Sequence, residues 1–211
     1  MSAGIKLNTV IQLIDGFSGL PAIGLSPRFL VNQKPYSPLA KPEAFYDFSE
    51  LEAGNYQLLI TDREFFSQQI TVRIPIPSRL ADGIIPCRLQ PNPLYSYPAD
   101  TTLVRGLVEL KHTGLSLPGV TVQARYLDWR GNLKNDCTYS FDEENHEGRY
   151  ALALSGKLVA ETEVELSFSK LGHKPVQRHI LIRPGTTRFI DIETTLTEQV
   201  EQWQDHASSD K

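Results

Sequence analysis

Residues 120–126 have the sequence VTVQARY, in which apolar and polar side chains alternate at every position. Successive side chains of a β-strand point to opposite faces, so this stretch has one apolar face and one polar face. The same alternation occurs in QITVRI at residues 69–74 and in EVELSF at residues 163–168. These segments predict half-buried antiparallel strands.

Further runs rich in β-branched and aromatic residues lie along the chain, separated by Gly, Pro, Asn and Asp. Short strands at this spacing predict an all-β fold of the sandwich or barrel type. No stretch before Thr195 has the periodicity of a long amphipathic helix. The additional strand candidates are residues 7–14, 44–48, 56–61, 102–110, 150–154, 176–182 and 189–195.

Composition excludes several classes of protein. The chain has 211 residues, of which 40% are hydrophobic, and a formal charge of −4 with 21 basic against 25 acidic residues. This is ordinary globular composition, without the basic excess that binding to nucleic acid requires. No apolar run approaches the ~20 residues of a transmembrane helix, and the first residues lack a signal-peptide pattern. We therefore expect no nucleic-acid partner, no transmembrane segment, a cytoplasmic location, and free thiols at Cys87 and Cys137.

A proline-rich segment divides the chain near its middle. Residues 90–98 read QPNPLYSYP, and three prolines in nine residues disfavour both helix and central strand. We predict a stiff linker at residues 91–101 between a first domain, 1–90, and a second domain, 102–195. Residues 196–211 form a tail beyond the second domain.

The two halves contain similar motifs. SGLPAI at residues 18–23 corresponds to LSLPGV at 115–120, and GNYQLLI at 54–60 corresponds to GRYALAL at 148–154. A glycine two residues before a tyrosine suits a turn with positive φ that leads into a buried strand. The pattern indicates a duplicated domain.

These motifs resemble the carboxypeptidase regulatory-like family. The second half matches it in RGLV at 105–108, LPGVTV at 117–122, GRY at 148–150 and FSKLGHKP at 168–175. His173 stands where the family has tyrosine, and DEENHE at 142–147 makes the central turn longer and more acidic.

The first half resembles the same family more loosely. Its LEAGNYQL at residues 51–58 follows the family's pattern, and Phe65 and Phe66 stand where the family has Gly-Tyr. The resemblance implies two tandem antiparallel Greek-key β-sandwiches of the transthyretin-like (prealbumin-like) type. It also implies a non-catalytic module that stiffens an assembly or presents loops to a partner, and such modules occur in phage-tail-like contractile injection particles.

Enzyme motifs are missing from the sequence. It contains no Gly-x-Ser-x-Gly, no phosphate-binding glycine-rich loop and no His-Glu-x-x-His. The final residues, ASSDK at 207–211, differ from the Tyr-Arg-Gly-Ser tail of the transthyretin-like hydrolases, which remain a third alternative. We predict that the protein is not an enzyme and has no cofactor.

No metal site is predicted. The five histidines are expected at the surface, because their spacing matches no pattern of metal ligands. The acidic run from Asp142 to Glu147 has the oxygen ligands that Ca²⁺ prefers, but it lacks the alternation and the glycine of a calcium loop. A solvated hairpin tip is the simpler interpretation. The histidines are His112, His146, His173, His179 and His206.

Partner-binding residues are predicted in two places. Adjacent aromatic side chains of a strand point to opposite faces, so one of Phe65 and Phe66 should be exposed to a protein partner or a sugar ring, unless the pair packs between domains. In the tail, Leu196, Val200 and Trp203 share one face of a short helix. Such a helix is marginal alone, so it should dock on its own domain or on a partner.

Together these features predict a structural or adaptor protein that presents loops and sheet edges to protein partners, in a homo- or hetero-oligomer. A contractile injection particle is the assembly that the resemblance suggests. The alternative is a carbohydrate-binding module of a cell surface or secretion system.

Overall fold

The computed structural model describes residues 9–49, 51–74 and 83–197. Sixteen β-strands and one short 3-10 helix, Pro42–Ala44, make up the regular structure of these residues. The predicted all-β class is therefore confirmed. The described residues form two compact units, of which the first extends to Leu103 and includes residues 184–187, and the second contains 104–183 and 188–197.

The first unit consists of two four-stranded sheets, with the strand orders β4-β5-β1-β8 and β3-β2-β6-β7. Both sheets contribute apolar side chains to one buried cluster, which includes Ile11 and Leu13 of β1 and Leu58 and Ile60 of β6. The strands are β1 Thr9–Asp15, β2 Arg28–Val31, β3 Lys34–Tyr36, β4 Leu39–Lys41, β5 Phe45–Phe48, β6 Gly54–Thr61, β7 Gln68–Ile74 and β8 Ile84–Leu89.

The second unit has the same plan. One sheet has the order β12-β9-β15, with β16 also paired to β9, and the other has the order β11-β10-β13-β14. Its buried cluster includes Val104 and Val108 of β9 and Val164 and Leu166 of β13. The strands are β9 Leu103–Leu110, β10 Thr121–Leu127, β11 Leu133–Tyr139, β12 Arg149–Ala153, β13 Thr162–Ser169, β14 Val176–Ile182, β15 Thr187–Phe189 and β16 Ile192–Thr194.

Parallel strand pairs occur in both units, whereas the sequence predicts antiparallel strands throughout. β8 lies parallel to β1, with Leu13 opposite Cys87, and β16 lies parallel to β9, with Val108 opposite Ile192. Consecutive strands joined by a tight turn must be antiparallel, but a strand that returns after a long connection can take either direction. Side-chain alternation looks the same in both cases, so the sequence pattern does not reveal the direction.

The predicted linker packs on the first unit. The Asn92 side chain is fully buried, where its amide nitrogen donates to the Arg63 carbonyl at 2.8 Å. The Asn92 backbone N–H donates to the Glu64 carbonyl at 3.0 Å, and Pro91 forms a β-bridge with Phe65. This part of residues 91–101 is therefore anchored to the first unit through backbone and side-chain hydrogen bonds, and it includes a turn in which the Tyr95 N–H donates to the Asn92 carbonyl at 3.1 Å.

The structural repeat is shifted by two residues from the one predicted around the prolines. The Leu20 N–H donates to the Ser18 hydroxyl oxygen at 3.2 Å, and the Leu115 N–H donates to the Thr113 hydroxyl oxygen at 3.3 Å. Gly19 and Gly114, with φ of 73° and 64°, lie between them. The equivalent turns are therefore residues 18–20 and 113–115, because turn conformation and not proline determines the register.

The predicted equivalence of residues 54–60 and 148–154 is also wrong. Gly54 begins β6, which pairs with β2 and β7, whereas Arg149 begins β12, which pairs with β9. The counterpart of β12 is β5, since it pairs with β1 as β12 pairs with β9. Ala44 precedes β5 with a φ of 57°, as Gly148 precedes β12 with a φ of 73°. An alanine in this glycine position conceals the repeat from sequence comparison.

Replacement of Gly148 by alanine should destabilise the second unit more than the same change at Gly114. Both residues have positive φ, which costs an alanine about 1–2 kcal/mol. At Gly148 an added Cβ would also lie 2.7 Å from the Val108 carbonyl oxygen, whereas nothing lies within 4 Å at Gly114. We expect roughly 3 kcal/mol or more for Gly148→Ala.

Denaturant unfolding of the full chain, followed by the fluorescence of its tryptophans, measures both variants. Equal losses at the two positions would contradict the close contact at Gly148.

Candidate partner-binding sites

The structure separates the two predicted phenylalanines. Phe65 is 3% exposed and belongs to the core cluster of the first unit, so in this chain it is not available to a partner. Phe66 is half-buried, and its backbone N–H donates to the Gln90 carbonyl at 2.9 Å. Of the pair, Phe66 retains the exposed surface that partner binding needs.

Phe65 supports a cluster of aromatic rings at one end of the first unit. Its ring packs edge-to-face on Tyr95 with 5.3 Å between centroids. Tyr95 contacts Tyr97 at 4.6 Å, and the Tyr97 ring contacts Phe17 at 5.2 Å. Tyr95 and Tyr97 are half-buried, and Phe17 lies at the exposed side. The cluster therefore extends from the core to the surface.

Asp15 positions this cluster through its carboxylate. Oδ1 accepts the Phe17 backbone N–H at 2.8 Å, and Oδ2 accepts the Ser18 hydroxyl at 2.9 Å and the Tyr95 hydroxyl at 2.6 Å. Burial, together with the bond to Asp15, raises the pKa of Tyr95 well above its ordinary value. Tyr95 therefore remains a neutral hydrogen-bond donor.

The tail residues Val200 and Trp203 lie outside the described residues, as does nearly all of the predicted helix. Just before it, Leu196 forms a β-bridge with His173, and the Thr197 N–H donates to the Gly172 carbonyl at 2.9 Å. The Leu171 side chain, next to this contact, is 99% exposed. The predicted partner-binding role of Val200 and Trp203 stays a prediction.

A second surface, which sequence reasoning missed, is the hairpin loop between β10 and β11. Trp129 is 52% exposed at its tip, and the Arg130 guanidinium carbon lies 4.7 Å from the centre of the Trp129 ring. Leu127 and Leu133 are directly opposite each other in the strand register, and both are exposed. We call residues 127–133 the Trp129 hairpin.

Asp128 holds this loop in one conformation. Its carboxylate accepts the Arg130 N–H and the Asn132 N–H, both at 2.9 Å, and Lys134 Nζ lies 3.9 Å away. Desolvation raises the pKa of Asp128, but the hydrogen bonds from Asn132 and Arg130 and the Lys134 charge outweigh it and leave the pKa below its usual value. The loop is therefore stabilised by an ionised carboxylate.

A backbone contact ties the loop to a neighbouring connection, since the Trp129 N–H donates to the Lys157 carbonyl at 3.0 Å. The sequence contains a signal for this hairpin, because residues 128–132 read DWRGN between two strands. Asp, Gly and Asn are turn residues, and a tryptophan among them is expected at the surface.

In the described part of the chain, which includes the acidic turn at residues 142–147, no group of three or more His, Cys, Asp and Glu side chains is placed to hold a metal ion. Asp142, Glu143 and Glu144 are exposed.

His179 lies 3.7 Å from Glu163 on the surface of the second unit. Neither cysteine is in a disulfide; Cys87 is buried and Cys137 is exposed.

None of the described residues belongs to a helix that is long and apolar enough to span a bilayer.

Comparison with known proteins gives distant likenesses only. No protein-family model matches the chain, and no curated protein matches it. Among solved structures, the Bacillus anthracis TIE protein is 9% identical with a TM-score of 0.32, over 89% of this chain and 34% of that protein. A streptococcal ancillary pilin is 13% identical with a TM-score of 0.30, over 92% of this chain and 63% of the pilin.

GBS52, a minor pilin of Streptococcus agalactiae, is 10% identical with a TM-score of 0.31, over 91% of this chain and 98% of GBS52. The chain thus spans about a third of the TIE protein and less than two thirds of the ancillary pilin.

Removal of the Tyr95 hydroxyl should destabilise the first unit. Tyr95→Phe leaves the ring contacts in place but removes a hydrogen bond to a carboxylate, for which we expect a loss of about 1.5–3 kcal/mol. Tyr36→Phe is the matched control, because the Tyr36 hydroxyl has no hydrogen-bond partner among the described residues, and it should cost little.

The two variants should also differ in their pH dependence. A tyrosine whose folded pKa is raised contributes stability that is present below its unfolded pKa, about 10, and is lost as the pH rises through the folded pKa. Between pH 8 and 11, the melting temperature of Tyr95→Phe should therefore fall less with rising pH than that of Tyr36→Phe. Parallel curves would show that Tyr95 does not carry this effect.

Proposed function

We propose that this protein is a non-catalytic structural or adaptor protein that acts in a larger assembly through protein–protein contacts. The observation that supports the proposal best is the Trp129 hairpin. Tryptophan and arginine are the residues that most often dominate binding energy at protein interfaces, and here they are adjacent and exposed. The flanking leucines, Leu127 and Leu133, would supply the apolar surround of such a contact.

The conformation of the hairpin favours binding. Asp128 fixes the loop by hydrogen bonds from Arg130 and Asn132, so little conformational entropy remains to be lost when a partner docks. An exposed aromatic ring on an ordered loop also suits a flat apolar pocket of a protein partner. The half-buried Phe66 and the tail residues Val200 and Trp203 are further proposed contacts.

More specific assignments belong to the same proposal. The motif resemblance supports tandem carboxypeptidase regulatory-like domains with the transthyretin-like Greek-key sandwich topology, in a cytoplasmic contractile injection particle. Neighbouring genes for tail-sheath, tube and baseplate proteins would favour that particle, whereas polysaccharide-utilisation genes would favour carbohydrate binding. The hydrolase alternative requires turnover of ester, amide or ureide substrates above the buffer rate.

Carbohydrate binding is the second candidate, because the exposed ring of Trp129 could also stack on a sugar. One side of this ring is near the Arg130 guanidinium, which leaves the other side for a ligand. A glycan array separates the two functions. Binding of a glycan that is lost in Trp129→Ala would replace the protein-binding proposal.

Truncation of Trp129 should weaken partner binding by about 2 kcal/mol or more if this side chain is a central anchor. The measurement is quantitative co-purification from lysate of the cells that carry the gene, with wild type, Trp129→Ala and Trp129→Phe as baits. Phe189→Ala, which removes another exposed aromatic ring of the second unit, is the control.

We expect Trp129→Ala to lose a protein that wild type and Phe189→Ala retain, with Trp129→Phe between them. Equal recovery of all partners by the four baits, together with unchanged sedimentation, would exclude the hairpin as the contact.

A further inference from the structure

A groove on the first unit forms a separate surface from the Trp129 hairpin. It has a volume of about 550 Å³ and lies along the β2–β3 hairpin and β5. This volume falls within the range of pockets that bind small molecules. Its walls are formed mainly by tyrosine and proline, with one arginine, and include Pro27, Arg28, Pro35, Tyr36, Pro38 and Tyr46.

The two tyrosine walls are fixed by packing on the core. The Tyr36 ring stacks on Phe48 with 5.3 Å between centroids and 13° between planes. Tyr46 packs on Phe29 at 4.8 Å, and both phenylalanines are buried. A ligand would therefore meet rings that are already in place, which lowers the entropic cost of binding.

The hairpin that carries one wall is also rigid. Asn32 and Gln33 both have positive φ, as a tight two-residue hairpin turn requires. The Asn32 N–H donates to the Gln57 carbonyl at 2.8 Å, and Asn32 Oδ1 accepts the Gln57 N–H at 2.9 Å. These bonds anchor the turn to β6, so the groove is held on one side by the hairpin and on the other by β5.

Arg28 supplies the positive charge of the groove. Its side chain is exposed, and no acidic group of the described residues forms a salt bridge with it. Burial of the Tyr46 ring raises its pKa, and the negative charge of Asp62 raises it further. The Asp62 Oδ1 accepts the Glu64 N–H at 2.9 Å, and Asp62 forms no salt bridge with Arg28. A guanidinium in this position suits a carboxylate of a ligand.

We propose that this groove binds an extended, proline-containing peptide segment that carries a carboxylate. Tyrosine and proline walls suit a polyproline II segment, whose extended conformation is formed before binding. β3 is an edge strand of its sheet, so an extended segment can approach it from solvent. Arg28 would pair with an acidic side chain of the segment.

The probe is a fluorescein-labelled peptide, Pro-Pro-Glu-Pro-Pro-Pro-Glu-Pro-Pro, titrated against the full chain by fluorescence anisotropy. Its two matched peptides replace Glu by Gln, or every second Pro by Ala. We expect the Glu peptide to bind about fivefold more tightly than the Gln peptide, because one charge-assisted hydrogen bond is lost. The alanine peptide should bind more weakly than both.

Arg28→Gln should reduce the preference for Glu over Gln to less than about twofold, because the charge pair is absent. Arg73→Gln, on the opposite edge strand β7 of the same sheet, is the matched control and should bind like wild type. Equal melting temperatures and circular dichroism spectra verify that the variants fold.

Absence of saturable binding up to roughly 1 mM, or a Glu preference that persists in Arg28→Gln, would overturn the proposal. Binding of an oligogalacturonate that is lost in Arg28→Gln, with no binding of the peptides, would reassign the groove to acidic sugars. The groove lies in the first unit and the Trp129 hairpin in the second, so the two tests fail independently.

Discussion

The central strand of each unit requires a hydrogen-bonded neighbour on both of its sides, and the rest of the unit is built to provide them. β1 lies between β5 and β8, and β9 pairs with β12 on one side and with β16 on the other. Ile11, Leu13, Val104 and Val108 on these strands are fully buried. Their backbone groups have no access to water, so unpaired N–H and C=O groups there would carry a large desolvation cost. The last strand of each unit must therefore return beside the first.

Turn conformation is the second constraint on the fold. The strand beside β1 or β9 is entered through a residue with positive φ, Ala44 in one unit and Gly148 in the other. At Gly148 a Cβ would approach the Val108 carbonyl oxygen, so this position requires glycine for space as well as for conformation. Ala44 accepts the same backbone conformation at a cost in strain, which the surrounding packing must offset.

Both proposed binding surfaces depend on this scaffold. The Trp129 hairpin extends from two paired strands and is held by the Asp128 carboxylate, and the groove tyrosines are held by Phe29 and Phe48 of the core. Side chains that are positioned before binding lose less entropy when a partner docks. Loops on a rigid β-scaffold are therefore suited to binding partners. The two units offer different chemistry, since the second carries Trp129 with Arg130 and the first carries the tyrosine-lined groove.

The all-β class of the described residues and the positions of their clearest strands follow from the sequence pattern. The alternation at residues 69–74, 120–126 and 163–168 corresponds to β7, β10 and β13 within one residue at either end, because alternation is a local property of an extended chain with one buried face. Tertiary structure alone decided the parallel pairing of the closing strands, since their partners lie far away in the sequence.

The burial of Phe65 and the anchoring of Asn92 also depend on the tertiary structure. Each depends on which segment packs against the residue, and a residue's own sequence neighbours do not specify that packing. The repeat register is a related case. Its turns share a backbone conformation and hydrogen bonds more than they share residues, so the proline and glycine motifs of the two units do not occupy equivalent positions.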